Sequence, residues 1–279
     1  MSTTTPARPA TRAVAVHPVT FGRLLSAEWV KARSLRSTWW VLALGVLAFP
    51  AMAALRASSV AAIAEDAAGH LVGPVYVTSG VAFGQLAFCA LAVVLVTGEY
   101  RTGQIRSTFV AAPGRVAALA AKLTVTAGLV LVAGLVGVAA GWAAAAPWFE
   151  PLQMSVDLTD PAHARMMLGV PLYLAGLAAL AHGIGALVRS PAAGIATVLG
   201  LVLVVENALG LIPWAPLQRF AAYLPTSAGA RLITDEGTGS VVTTAGAGVL
   251  SPWAGFAVLL AWVLAVSVAA SVLVRRRDV

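Results

Sequence analysis

Six long runs of apolar residues constrain this chain more than any other feature of its sequence. The runs cover approximately residues 39–57, 80–97, 117–146, 166–188, 192–212 and 253–274. An α-helix rises about 1.5 Å per residue, so about 20 apolar residues cross the roughly 30 Å hydrocarbon layer of a membrane. We therefore predict an all-α integral membrane protein, in which residues 39–274 form one six-span domain.

The composition excludes an ordinary soluble domain. Hydrophobic residues make up 59% of the chain and charged residues 10%, with a formal net charge of +7. Soluble domains are about a quarter charged. The basic residues flank the apolar runs, which indicates a cationic rim beside anionic lipid rather than a surface that binds nucleic acid.

The distribution of charge predicts the orientation of the spans. If both termini lie on one side, that side carries 14 of the 18 lysines and arginines, and most acidic residues fall on the other side. Segments rich in Lys and Arg face the cytoplasm in multi-pass proteins. We therefore expect both termini, the loop after Gly98 and the turn at Arg189 to be cytoplasmic.

Four segments lie outside the regular spans. We predict that residues 1–19 form a disordered N-terminal segment and that residues 275–279 form a basic C-terminal tail, both cytoplasmic. Residues 20–38 alternate apolar and charged side chains at helical spacing, which predicts an amphipathic helix along the membrane interface. Residues 213–233 contain several prolines, so we expect short helices at the outer surface there.

The segment GEYRTGQIRSTFVAAPGR, from Gly98 to Arg115, is unusually polar for its position between two apolar runs. Basic residues in a short cytoplasmic loop can serve topology alone. Topology does not require Glu99, however, nor the pair Gly103 and Gly114 bracketing a helix-sized stretch. The alternative interpretation is a short polar helix that docks against a soluble partner through complementary charge and hydrogen bonds.

This segment resembles the loop between the second and third spans of type-2 ATP-binding-cassette exporter permeases, in their actinobacterial form. The residues that match the family pattern are Glu99, Tyr100, Arg101, Gly103, Ile105, Arg106, Thr108, Pro113 and Arg115. Gln104 stands where threonine is common, and Gly114 where a second basic residue is often found. The N-terminal amphipathic segment, the six spans and the proline-broken outer segment extend the resemblance over nearly the whole chain.

The resemblance implies that this loop is a coupling helix, which contacts a separate cytoplasmic ATPase subunit. It assigns ATPase coupling to Glu99, Tyr100, Arg101, Thr102, Gly103, Arg106, Ser107 and Thr108. It also implies a permease subunit of the bacterial plasma membrane that pairs with a second permease subunit, as a homodimer or a heterodimer. The activity implied is outward movement of a lipophilic or amphipathic substrate, driven by ATP.

A nucleotide site is not expected in this chain. A phosphate-binding loop needs a glycine-rich stretch followed by Lys-Ser or Lys-Thr, but Lys31 precedes Ala and Lys122 precedes Leu. The single cysteine and four scattered histidines predict no metal site. We expect no catalytic residue and no cofactor here, with ATP and Mg²⁺ bound by the partner ATPase.

Polar residues inside the runs are the remaining candidates. Glu206 is the only acidic residue well inside a run, and Gln85 lies at a similar depth, so the two side chains are predicted to line the substrate path together. The alternative is a structural pair of Glu206 with Asn207. His182 is expected to make a hydrogen bond between helices. The pairs Gly80/Gly84 and Gly137/Gly141 permit close helix approach, but such spacings also arise by chance in a chain rich in glycine and alanine.

Other functions stay open at this stage. A membrane partner that docks an ATPase without transporting, such as an immunity or sensor subunit, needs the same coupling surface. An intramembrane lipid-modifying enzyme needs a converging set of acids, Ser and His, or a metal cluster, and none converges by spacing. A secondary transporter needs paired broken helices, which the runs do not show.

Overall fold

The computed structural model describes residues 19–63, 71–104, 114–154, 156–235 and 250–276, and all regular secondary structure in these residues is helical. Six helices are long and apolar enough to cross a membrane, which confirms the predicted number of candidate spans. These helices are α2 (Arg36–Ile63), α4 (Val81–Thr102), α5 (Arg115–Ala145), α6 (Pro161–Val188), α7 (Pro191–Leu211) and α10 (Pro252–Arg276). The shorter helices are α1 (Phe21–Ser34), α3 (Gly73–Val77), α8 (Ala215–Ala221) and α9 (Pro225–Ala230).

Helix α6 forms the centre of the bundle. It packs against α4, α5, α7 and α10, and it is the most buried of the six long helices. Its side chains Tyr173, Leu174 and Leu177 are fully buried within the main apolar core. By contrast only 28%, 22% and 17% of the most apolar stretches of α2, α7 and α10 are buried inside the bundle, which suits helices that face lipid.

One glycine of each glycine pair packs against the ring of Phe49, and the other packs against backbone nearby. A Cβ atom at Gly137 would lie 2.7 Å from Phe49 Cδ2, and one at Gly84 would lie 3.0 Å from Phe49 Cε2. A Cβ atom at Gly80 would meet the backbone of Phe49, and one at Gly141 the carbonyl oxygen of Val77. Both pairs therefore serve packing, because only glycine lets α2, α4 and α5 approach this closely.

The N-terminal amphipathic segment is divided, not continuous. Helix α1 ends at Ser34, Leu35 is extended with φ −86° and ψ 114°, and α2 begins at Arg36, so residues 36–38 of the predicted interfacial helix belong to the first span. One face of α1 buries Glu28 and Ala32 against the bundle. The other face exposes Phe21, Trp29 and Val30, which suits contact with a membrane surface.

The short helices between spans lie partly in the interior. All residues of α3 are buried, and this element has no counterpart in the sequence prediction. The 213–233 segment contains the short helices α8 and α9, as its prolines predict. Helix α9 is buried against α6 and α10, whereas α8 is more exposed and presents Phe220.

Contacts between helix ends define two ends of the bundle. Lys31, Glu99 and Lys122 meet at one end, and Arg115 Nη1 donates to the carbonyl of Val274 at 3.3 Å there. The arginines at the end of α10 lie at this end as well. We call it the basic end. The other end contains α3, α8, α9 and the Asp157–Asp160 turn.

Candidate functional site

Four charged side chains form a buried cluster at the basic end. Lys31 Nζ lies 2.7 Å from Glu28 Oε1 and 2.8 Å from Glu99 Oε1. Lys122 Nζ lies 2.5 Å from Glu28 Oε2 and 2.8 Å from Glu99 Oε1. Each lysine therefore bridges both carboxylates. The cluster, defined here as Glu28, Lys31, Glu99 and Lys122, joins α1, α4 and α5.

The position of each residue follows from its helix. Glu28 lies on the inward face of α1, one turn before Ala32, which is also buried. Glu99 lies in the last turn of α4, and Lys122 lies two turns into α5. The spacing from Glu28 to Lys31 allows an ion pair within α1. The contacts of Glu28 and Glu99 with Lys122 could not be read from local spacing.

Burial makes this cluster energetically important. Glu28 and Glu99 are 5% and 6% exposed, and Lys122 is 8% exposed. Burial alone would lower the pKa of Lys31, but the hydrogen bonds and charges of Glu28 and Glu99 raise its pKa above the usual range. Removing one partner from a buried ion pair leaves an uncompensated charge, which costs about 3–5 kcal/mol.

The residues predicted for ATPase coupling divide into three groups. Glu99 is inside the charged cluster, because α4 continues one and a half turns beyond the predicted end of the span at residue 97. Arg101 and Thr102 are exposed at the end of α4, and Gly103 takes the left-handed conformation with φ 72° that ends the helix. Arg106, Ser107 and Thr108 lie outside the described residues.

Tyr100 connects α4 to the junction of α6 and α7. The guanidinium of Arg189 lies 5.2 Å from the centroid of the Tyr100 ring, within the range of a cation–π contact. Arg189 itself has φ 59° at the C-terminal cap of α6. The end of α4 is therefore tied to α1 and α5 through Glu99 and to α6 through Tyr100.

Glu206 is fully buried in α7 and accepts three hydrogen bonds. Its Oε1 accepts from the backbone N–H of Thr226 at 2.9 Å. Its Oε2 accepts from the backbone N–H of Ser227 at 2.6 Å and from the Ser227 hydroxyl at 2.7 Å. Both donors belong to the first turn of α9, so Glu206 anchors α7 to that buried helix.

A π-helical segment directly precedes Glu206. Residues Gly200–Val205 take this wider helix form, which has more residues per turn than an α-helix. In α7 the buried positions Gly194, Val198, Val202 and Glu206 recur every four residues. In a regular α-helix, residues spaced four apart are displaced progressively around the helix axis, because one turn has about 3.6 residues. The larger number of residues per turn in the π-helical segment reduces this displacement and keeps the four positions on one face. The carboxylate therefore points into the bundle.

Gln85 and Glu206 make no hydrogen bond with each other among the described residues. Gln85 Oε1 accepts from the Tyr173 hydroxyl at 2.6 Å, and both side chains are buried. The alternative pair of Glu206 with Asn207 is also wrong, because Asn207 Nδ2 donates to the carbonyls of Val202 and Leu203. The carboxylate partners Thr226 and Ser227 carry no sequence signal beyond the preceding proline, which starts α9.

His182 does not make the predicted hydrogen bond between helices. It is fully buried in α6, and neither ring nitrogen has a hydrogen-bond partner among the residues that the structure describes. Among the residues that the structure describes, no three His, Cys, Asp or Glu side chains are grouped so as to hold a metal ion. The polar groups that do converge are the charged cluster and the Glu206 anchor, and both connect helices.

Comparison with known proteins adds no family to this picture. No protein-family model matches the sequence, and no curated protein matches it significantly. The resemblance carried by residues 98–115 therefore stays a prediction.

Proposed function

We propose that this chain is the membrane-spanning permease subunit of an ATP-binding-cassette exporter. In this proposal it couples ATP hydrolysis by a separate cytoplasmic ATPase subunit to outward movement of a lipophilic or amphipathic substrate. The basic end faces the cytoplasm, since Lys- and Arg-rich ends of multi-pass proteins do so. ATP and Mg²⁺ are bound by the ATPase, and this chain supplies the membrane path with a second permease subunit.

The observation that carries the proposal is the polar end of α4. Arg101 and Thr102 are exposed there, and the next residues continue the polar segment toward Arg115. One turn earlier, Glu99 is locked into a buried four-charge cluster. A partner that pushes on the exposed turn would act on a helix end that is firmly tied to its neighbours.

The contacts of the α4 end support transmission of such a displacement to neighbouring helices. From Glu99 the ionic contacts lead to Lys31 on α1 and to Lys122 on α5. From Tyr100 the ring contact leads to Arg189, between α6 and α7. Movement of the α4 end would therefore displace most of the bundle as a unit, as coupling to an ATPase requires. This role assigns no covalent chemistry to the chain.

The placement of Glu206 and Gln85 on the substrate path remains a prediction. Both oxygens of Glu206 accept hydrogen bonds from α9, and Gln85 accepts one from Tyr173. These contacts favour a structural role over direct contact with cargo. Equal export by Glu206→Gln and the native chain, at equal membrane levels, would remove Glu206 from the path.

Orientation is the first test of the proposal. A single cysteine at Thr102, introduced after Cys89→Ser, is treated in intact cells and in inverted vesicles with a membrane-impermeant maleimide. We expect labelling only in inverted vesicles. Labelling from outside intact cells would refute both the orientation and the coupling role.

Complex formation is the second test. The chain is co-expressed with an ATPase subunit encoded beside it, and the amount that co-purifies is measured. Arg101→Glu is expected to reduce co-purification strongly because it reverses the exposed charge at the end of α4. The matched control Arg275→Glu reverses an exposed cation at the same end and should retain the complex. Glu99 variants are unsuitable as the main test, since they disturb the buried cluster. Equal loss in both variants, or loss in neither, would overturn the assignment.

A further inference from the structure

A cavity of about 270 Å³ lies between α1, the end of α4 and the start of α5. The charged cluster forms its inner wall. Its outer part is lined by the exposed Ser34 and Arg101, and its apolar wall includes Val94, Leu95 and Val125. Polar and apolar linings are therefore separated within one cavity.

The charged residues that line the cavity carry a net positive charge. Among the lining residues that the structure describes, three are cations, Lys31, Arg101 and Lys122, and two are carboxylates, Glu28 and Glu99. The two lysines are paired with the two carboxylates. Arg101 makes no hydrogen bond or ion pair with any residue that the structure describes. One positive charge is thus left at the cavity mouth.

The apolar wall extends from that charge toward the middle of the bundle. Val94 precedes Arg101 by seven residues on α4, which corresponds to about 10 Å along a helix axis. Val94 is 38% exposed despite being deep in a span. An occupant with an anionic group at Arg101 and a hydrocarbon chain along Val94 and Leu95 would satisfy both linings.

We propose that this cavity binds one anionic phospholipid from the leaflet at the basic end. The phosphate group lies beside the Arg101 guanidinium, which suits a phosphodiester because arginine forms charge-assisted, paired hydrogen bonds with phosphate oxygens. An acyl chain follows the α4 surface from Gly98 to Val94, which lie one turn apart on the same face. Basic pockets between helices at the cytoplasmic side of membrane proteins bind anionic headgroups by the same chemistry. A small free anion would leave the apolar wall unused.

The test measures lipid retention by the full chain. The protein is purified in a neutral detergent, equilibrated with phosphatidylglycerol or phosphatidylcholine, and examined by native mass spectrometry. We expect one phosphatidylglycerol retained per chain and weaker retention of phosphatidylcholine. Arg101→Gln is expected to weaken binding of phosphatidylglycerol roughly fivefold, the effect of one cation near a lipid surface.

Gly98 provides a second variant that leaves every charge in place. It lines the cavity, and a Cβ atom added there meets nothing within 4 Å. Gly98→Leu would place an apolar side chain in the cavity beside the predicted acyl chain, and Gly98→Ala would occupy less of this space. Because leucine and alanine favour helix more than glycine, both variants should fold. We expect Gly98→Leu to abolish specific retention and Gly98→Ala to weaken it.

Matched controls separate this site from general lipid contact. Gly128→Leu fills open space on α5 outside the cavity, and Arg275→Gln removes an exposed cation at the same end. Both should retain phosphatidylglycerol like the native chain. Equal retention of the two lipids, or equal effects of Gly98→Leu and Gly128→Leu, would overturn the proposal. This outcome is independent of whether an ATPase binds the chain.

Discussion

Two regions of the bundle bury carboxylates by different means. At the basic end, Glu28 and Glu99 are neutralised by two lysines at 2.5–2.8 Å. In α7, Glu206 accepts from the backbone N–H groups of Thr226 and Ser227 and from one hydroxyl. The first arrangement uses full opposite charges, whereas the second uses dipoles.

The difference has a physical consequence for how each region can respond. An ion cluster shared by three helices resists separation of any one of them, because separation leaves a buried charge unpaired. A carboxylate held by the start of a short helix fixes only the two elements that carry it. The basic end therefore integrates α1, α4 and α5, and the Glu206 anchor is local to α7 and α9.

The largest effect is expected from Lys122→Met. This change removes the more buried cation and leaves two carboxylates with Lys31 alone, so we expect a loss of about 3–5 kcal/mol in the free energy of unfolding. Denaturant unfolding in detergent micelles measures it. Arg275→Met, at an exposed position, should change stability by no more than about 0.5 kcal/mol. Adding Glu28→Gln to Lys122→Met should recover part of the loss, and absence of any recovery would argue against charge as the cause.

A smaller effect is expected from Glu206→Gln. The amide retains one acceptor but turns an N–H₂ group toward backbone donors, so one or two donors lose their partner, at about 1–3 kcal/mol. The same unfolding measurement applies. A stability equal to that of the native chain would show that α9 does not depend on the carboxylate, and the comparison between the two regions would fail.

Ser227→Ala separates the hydroxyl from the backbone donors. It removes one of the three hydrogen bonds to Glu206 and keeps the others, so the expected loss is about 0.5–1.5 kcal/mol. Ser190→Ala is the control, since Ser190 precedes α7 without a side-chain capping bond. Equal losses in the two variants would contradict the assigned role of Ser227.

The smallest expected effect is a change of stability at alkaline pH, which should occur at the basic end and not at the Glu206 anchor. The pKa of Lys31 is raised by Glu28 and Glu99, so its stabilising contribution is complete below its ordinary value of 10.5 and is lost as pH rises through the higher folded-state value. The contribution is less than about 1 kcal/mol, because the Lys31 side chain is 30% exposed. Thermal unfolding of the native chain and of Lys31→Met between pH 8 and about 12 gives the difference. The stability difference between the native chain and Lys31→Met should shrink at the alkaline end of this range. Glu206→Gln should show the same pH dependence as the native chain. A stability difference that stays constant with pH would refute the role of Lys31.

The long helices could be predicted because each apolar run is self-sufficient as a span. The N-terminal amphipathic segment was also visible, but its break at Leu35 was not, since nothing in the local pattern marks it. Helices α3 and α9 are short and buried, so their burial depends on neighbours from distant parts of the chain. The glycine pairs could be named but not interpreted, because their common partner is Phe49 on another helix.

The candidate site was only partly accessible to the same reasoning. The pair Glu28–Lys31 is local and follows from helical spacing, whereas Glu28–Lys122 spans 94 residues. The resemblance assigns Glu99 to ATPase coupling, but its pairing with Lys31 and Lys122, which lie 68 and 23 residues away in the sequence, could not be predicted. Glu206 is unusual in the sequence, but two of its three hydrogen-bond donors are backbone N–H groups, which every residue except proline possesses, so no sequence pattern reveals them.

The residues of the charged cluster are synthesised in a fixed order. A chain made from its N-terminus presents Glu28 and Lys31 first, Glu99 next, and Lys122 another 23 residues later. Until Lys122 emerges, the two carboxylates of the cluster have only Lys31 as a partner where α1 docks. We expect a chain arrested before Lys122 to leave α1 open to protease, and one arrested after α5 to protect it.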